Sequence, residues 1–389
     1  MKKIKLLSSL AAITTLSSGV ALTTTSCSKE EPKPEPPVDT SNYIVYKDKK
    51  EVFDKFDQTD IDALVPVYNS DEKTYSFTLK TKTYDAALLS EISIGSPDSN
   101  ITSIPDNFLA GYRDDTESTV QYTEITDIPY ISAFPNLKKV NLSQLKNVKT
   151  IGKDFLAVVP SLTELYLPTL VKDGETAPTI GNNFMFHCPN LKKLDLTPLN
   201  KINNISNGFF AQDGDDPDGW ARTKKCVNVV GLEEVDMSSF TFATTTPGDY
   251  FLANAIYMKS VKLPNVDSPT IRENMTPQTY LVNCYSLEEL DYTPWDRGTI
   301  QGGGGMCVSN AFNLSKVTLG PSMTKETFDY EIVVPDFCIN TWAAPMWAKS
   351  YSQGVELVAT EDQIEWFTSD YYPNSNEALC WRHWSNLEE

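Results

Sequence analysis

One hydrophobic phrase recurs along the chain: an apolar residue, two variable residues, an apolar residue, one variable residue, an apolar residue. It stands at Leu89/Ile92/Ile94, Leu137/Val140/Leu142, Leu162/Leu165/Leu167 and Leu191/Leu194/Leu196. It continues at Leu232/Val235/Met237, Met258/Val261/Leu263, Leu287/Leu290/Tyr292 and Leu314/Val317/Leu319. From Leu137 on, successive copies start 25, 29, 41, 26, 29 and 27 residues apart. The alternation within each copy is that of a short strand with one buried face. A single strand of this kind cannot bury its face alone, so the copies are expected to stack as a parallel sheet.

A second phrase keeps step with the first. An aromatic residue lies seven positions ahead at Tyr130, Phe155, Phe184, Phe251 and Tyr280, with Cys307 in that place in the last copy. Upstream of it lie turns such as Ile104-Pro105, Ile151-Gly152 and Ile180-Gly181. Four positions after it comes a small slot, held by Val159, Cys188, Ala255, Cys284 and Ala311. The aromatics are expected to fill the layer behind the sheet. The predicted fold is therefore a repeat solenoid, a curved parallel β-sheet with short turns or helical segments on its other face. Phe184 and Leu194 are expected to be buried core residues. The 41-residue interval is read as an insertion around Asp213 to Lys225, and a loop is expected between Tyr112 and Ile128.

The segment IGNNFMFHCPNLKKLDLTP at 180–198 resembles the BspA-like leucine-rich repeats of bacterial surface proteins, and the resemblance covers about residues 87–342. It implies a leucine-rich-repeat solenoid of the α/β class, and attachment to proteins of a host or a neighbouring cell. Ends of such arrays need capping. Residues 43–86, with the alternating YSFTLKTKTY, are expected to cap the front, and residues 343–389, with GVELVATEDQIEWF, the back.

The strand phrase also defines what faces outward. The residue before the second apolar position gives the column Glu91, Lys139, Glu164, Lys193, Glu234, Ser260, Glu289, Lys316. Its alternating sign reads as a register-fixing ladder, since opposite charges on neighbouring strands contribute roughly 0.2–1 kcal/mol each. The next column is Ser93, Asn141, Tyr166, Asp195, Asp236, Lys262, Asp291, Thr318. Tyr166, Asp195, Asp236 and Asp291 place an aromatic and three acids on nearby strands and are the candidate binding residues. The competing reading is that they only keep the sheet soluble.

Charge narrows the partners. The chain of 389 residues carries a net charge of −19. Loss of the first 26 residues would remove Lys2, Lys3 and Lys5 and no acid, leaving −22. Such a surface repels nucleic-acid phosphates and anionic lipid headgroups, so neither is expected as a partner of the folded body. The N-terminus reads as an export signal: Lys2, Lys3 and Lys5, an apolar stretch from Leu6 to Leu22, then Thr24, Thr25 and Ser26 before Cys27. This arrangement resembles a bacterial lipoprotein signal (residues 1–27), although Thr24 stands where the usual signal has leucine. The resemblance implies lipidation of Cys27 and anchoring on the outer side of the bacterial membrane. Residues 28–42, rich in proline and charge, are expected to be an extended tether.

Candidate chemistry is sparse. Cys188 and Cys284 share the small slot three layers apart, roughly 14 Å at about 4.8 Å per layer, beyond disulfide reach. They read as buried small hydrophobes, whereas Cys307 and Cys338 fall in adjacent layers, and Cys226 and Cys380 have no assigned place. His187, beside Cys188, reads as a loop-facing histidine, and His383 as part of the C-terminal cap. DGDDPDG at 213–219 lacks the acid and glycine spacing of a calcium loop, and Gly302 to Gly305 lacks the lysine of a phosphate loop. No catalytic motif, cofactor site or metal site is expected. The leading expectation is a non-catalytic protein-binding or adhesion module; the alternatives are a solute-binding lipoprotein of a transporter and a surface glycan hydrolase. The oligomeric state is left open.

Overall fold

The computed structural model describes residues 39–95, 100–114, 130–203, 205, 209–210, 231–242, 251–253, 255–266, 281, 284–296, 311–322, 355–366 and 381–386. These residues form mostly strands in several sheets, with few and short helices, and none of the sheets closes into a barrel. Cys27, the insertion at 213–225, Tyr280, Gly302 to Gly305 and Cys226, Cys307, Cys338 and Cys380 lie outside the described residues.

Consecutive copies of the strand phrase pair in parallel. Lys139–Asn141 sits between Leu89–Ser93 and Glu164–Tyr166, with Val140 opposite both Ile92 and Leu165. Further on, Glu234–Asp236, Ser260–Lys262, Glu289–Asp291, Lys316–Thr318 and Val355–Ala359 follow one another in a second parallel block. The central apolar residue of each strand points inward; Ile92, Val140, Val235, Leu290 and Val317 are buried. The charge column falls in register as expected: Lys139 lies opposite Glu91 and Glu164, and Lys316 opposite Glu289 and Glu356.

The front sheet is not continuous. The copy at Leu191/Leu194/Leu196 forms no ladder strand, and Leu194 is only half-buried. This corrects the expectation that Leu194 is a core residue. Backbone bonds still cross the gap, from Gly231 N to Cys188 O at 3.2 Å and from Glu233 N to Lys192 O at 3.3 Å, the latter in the position where Thr163 N bonds Lys138 O and Lys259 N bonds Glu233 O. The layers thus stay bonded here, although 193–195 joins no ladder.

Behind the front sheet runs a column of aromatic rings. Phe108, Phe155, Phe184, Phe209 and Phe251 are all buried and stack in that order, with centroids 5.7, 5.1, 5.1 and 6.3 Å apart. These separations lie within the roughly 4.5–7 Å at which aromatic pairs attract. Phe108 takes the slot that the spacing assigned to Tyr130. Tyr130–Ser132 instead pairs antiparallel with Tyr112–Asp114, as the base of the segment inserted there.

The residue after each aromatic slot position has a left-handed backbone. Leu156, Met185, Phe210, Leu252 and Leu281 have φ of 52, 54, 59, 55 and 54°. Each donates its amide to the carbonyl of the phenylalanine one layer earlier, at 2.8 to 3.3 Å. Left-handed non-glycine residues cost on the order of 1–2 kcal/mol. Here the conformation turns an otherwise orphaned buried N–H onto an acceptor, which offsets that cost. Leu109 N does the same to Leu64 O, so the N-terminal cap supplies the missing layer.

A second, narrower set of parallel strands forms the back: Ser103–Ile104, Thr150–Ile151 and Thr179–Ile180. The glycines that follow are dictated by packing. A Cβ on Gly152 would stand 2.4 Å from the backbone nitrogen of Asp106, and one on Gly181 2.4 Å from that of Lys153.

The amino-terminal cap joins the front sheet. Tyr43–Tyr46 and Lys49–Val52 form a hairpin whose first strand pairs antiparallel with Leu89–Ser93. YSFTLKTKTY is a hairpin as well, Thr74–Leu79 with Lys82–Asp85. The segment expected to be tether through Asn42 is seated on the protein from Asp39 onward. The Asp39 carbonyl accepts from Asn141 Nδ2 at 2.9 Å and from Ser93 Oγ at 3.3 Å. Ser93 and Asn141, expected to face solvent, are consequently buried. At the other end Val355–Ala359 leads into the short helix Glu361–Trp366, and Trp381–Asn386 adds a last parallel strand.

Candidate functional site

Of the four candidate residues of the outward column, Tyr166, Asp236 and Asp291 lie on strands and Asp195 does not, and the three acids have a local task. Asp195 Oδ1 accepts from Thr197 N at 2.9 Å, Asp236 Oδ1 from Ser238 N at 3.0 Å, and Asp291 Oδ1 from Thr293 N at 2.8 Å. Asn141 Oδ1 does the same with Ser143 N at 3.1 Å. Each closes an Asx-type turn, which at Asn141, Asp236 and Asp291 ends a strand. The signal was present in the sequence as Asn/Asp two residues before Ser/Thr, four times over, and went unread. Asp236 also binds Lys262 on the next strand at 2.6 Å. Its carboxyl is held at about 2, first by Lys262 and then by Ser238. Tyr166 is half-buried, with the Lys139 ammonium 5.7 Å from its ring centroid.

The like-charge pair expected at Asp195 and Asp236 is not formed as ladder neighbours, because the strand at Asp195 is missing. Asp195, Asp236 and Asp291 remain exposed. The arrangement can attract a basic group but shows no converging pair of carboxylates.

The back sheet carries a groove that the sequence reading did not single out. It holds about 620 Å³ and is bounded by Asp62, Asp106, Lys153 and Asn182 around the strands Ser103–Ile104, Thr150–Ile151 and Thr179–Ile180. The signal that could have found it is the second turn phrase, which repeats a hydroxyl residue directly before each isoleucine.

Cys188 and Cys284 are both free and buried. Their thiols donate to Leu156 O at 3.3 Å and to Leu252 O at 3.4 Å, the same relation 96 residues apart. Burial pushes both thiols up to about 12. A thiol held protonated is a poor nucleophile. Alkylation with iodoacetamide at neutral pH should therefore leave both unlabelled until urea is added; comparable labelling of folded and unfolded protein, read by mass spectrometry, would contradict this placement. His187 is also buried, and burial lowers it to about 4. It is a core residue, a correction to the loop-facing reading.

Among the described residues no group of three or more His, Cys, Asp or Glu side chains is placed to hold a metal ion. No helix among them is long and apolar enough to cross a membrane. Comparison with protein-family models and with curated proteins finds no match to this chain.

Proposed function

We propose that the chain is an exported bacterial surface lipoprotein whose body is a leucine-rich-repeat solenoid acting as a non-catalytic binding or adhesion module. The observation that carries this reading is the register between layers. The same strand, the same phenylalanine and the same left-handed amide recur in step from one layer to the next. Such an array is quasi-one-dimensional and presents long outward columns to a partner. Fold alone does not fix a ligand, so the partner class rests on the resemblance and on the anchor: proteins of a host or a neighbouring cell, captured at the membrane surface.

The anchor is testable separately. Cys27→Ala is expected to move the protein from the detergent phase to the aqueous phase in a phase-partition assay. Unchanged partitioning would remove the lipoprotein reading. Capture of extracellular-matrix proteins and mucins by the purified protein tests the adhesion reading; a screen without any retained partner would remove it.

A further inference from the structure

We propose that the groove on the back sheet binds a neutral, polyhydroxylated ligand, with a linear glycan as the fitting class. The inference names a ligand for the surface-binding reading and rests on it. Three rows line the groove. Ser103, Thr150 and Thr179 are partners on adjacent parallel strands, so their hydroxyls recur at about 4.8 Å. Thr150 and Thr179 are exposed, while the isoleucine after each hydroxyl residue is turned into the core. The middle row is Pro105, Gly152 and Gly181, and the glycines stay bare because a side chain there would strike the backbone of the neighbouring layer. The third row is Asp106, Lys153 and Asn182.

The chemistry of these rows selects the ligand. A hydroxyl both donates and accepts, a carboxylate accepts only, and an ammonium donates only. Each layer thus offers hydrogen-bonding groups of both kinds across a shallow trough, with its apolar side chains buried beneath. Asp106 is fixed by accepting from Lys153 N at 2.9 Å, and Asp62, at the end of the helix Gln58–Asp62, by accepting from Gln58 Nε2 at 2.9 Å. An apolar chain would strip water from these groups and return no hydrogen bond. A polyanion would meet two carboxylates on a protein of net charge −19. A ligand that alternates donors and acceptors along a repeating chain meets a hydroxyl and a second polar side chain in each of the three layers.

Affinity electrophoresis tests this, with the mature protein run through native gels cast with a soluble β-glucan, an α-mannan or a galactan. At least one polysaccharide is expected to slow the wild type. Thr150→Val with Thr179→Val keeps side-chain shape and removes two hydroxyls, and should weaken retardation at least tenfold. Lys153→Ala, at an exposed position, should weaken it too and guards against a folding defect in the valine variant. Wild-type mobility unchanged in all three gels, or retardation equal in the wild type and both variants, overturns the proposal. Retained matrix proteins without gel retardation would remove the glycan groove and leave the adhesion reading standing.

Discussion

Phe184→Ala is expected to destabilise the protein by about 3–5 kcal/mol, the usual range for a buried aromatic truncated to alanine. The ring is fully buried, with Phe155 and Phe209 5.1 Å away on either side and Phe210 5.7 Å away edge-on. Its removal opens a void in the middle of the column, and the neighbouring rings cannot close it, because their backbone is pinned by the amide bonds between layers. The loss should be local in a stacked array. Hydrogen exchange should quicken around Phe155 and Phe209 before it does in the amino-terminal cap. Leu194→Ala is the control: a half-buried side chain should cost less than half as much. Urea melts in which Leu194→Ala equals or exceeds Phe184→Ala would refute the layer assignment.

The second large effect is pH-dependent and comes from His187. Its folded value, about 4, lies below the ordinary 6.5, because burial disfavours the charged ring. Between those values the unfolded chain binds more protons than the folded one, so stability falls as pH falls. The shift corresponds to about 3 kcal/mol, lost between pH 6.5 and 4. The preceding layer places Val158 in the same left-handed position, with φ of 56° against 61° for His187. His187→Val should therefore fold, and its melting temperature should change less than that of the wild type from pH 7 to pH 5. Asp236, held at about 2, loses its contribution only below the ordinary carboxylate range, so it does not confuse this window. Parallel pH profiles for the two proteins would show that His187 is not buried as a neutral ring.

Much of this layout was legible because it is periodic along the chain. The strand phrase, the register of Glu91, Lys139 and Glu164, and the slots of Phe155, Phe184 and Phe251 follow from spacing, whereas Phe108 and Phe209 join the ring column from outside it. Asp195, Asp236 and Asp291 are exposed, but each also holds a turn two residues ahead, a task that the strand pattern does not display. The groove was overlooked because its rows come from three separate turns, and none of them carries a catalytic or metal-binding residue type.

The amino-acid sequence by itself determined which residues of each copy turn inward, which layers neighbour one another, and where a cysteine can replace an alanine or valine. These are consequences of local alternation and of copy spacing, which a linear chain displays openly. The tertiary structure alone decided where the pattern stops being obeyed. Asn141 is buried because Asp39, 102 residues away, lies over it. Leu194 is half-buried, in a copy that pairs with neither neighbouring strand. His187 is neutral because the surrounding layers exclude water, and Gly152 and Gly181 are required because the backbone of another layer passes within contact distance. Each of these depends on a contact between segments distant in sequence, and no spacing along the chain encodes what will cover a given face.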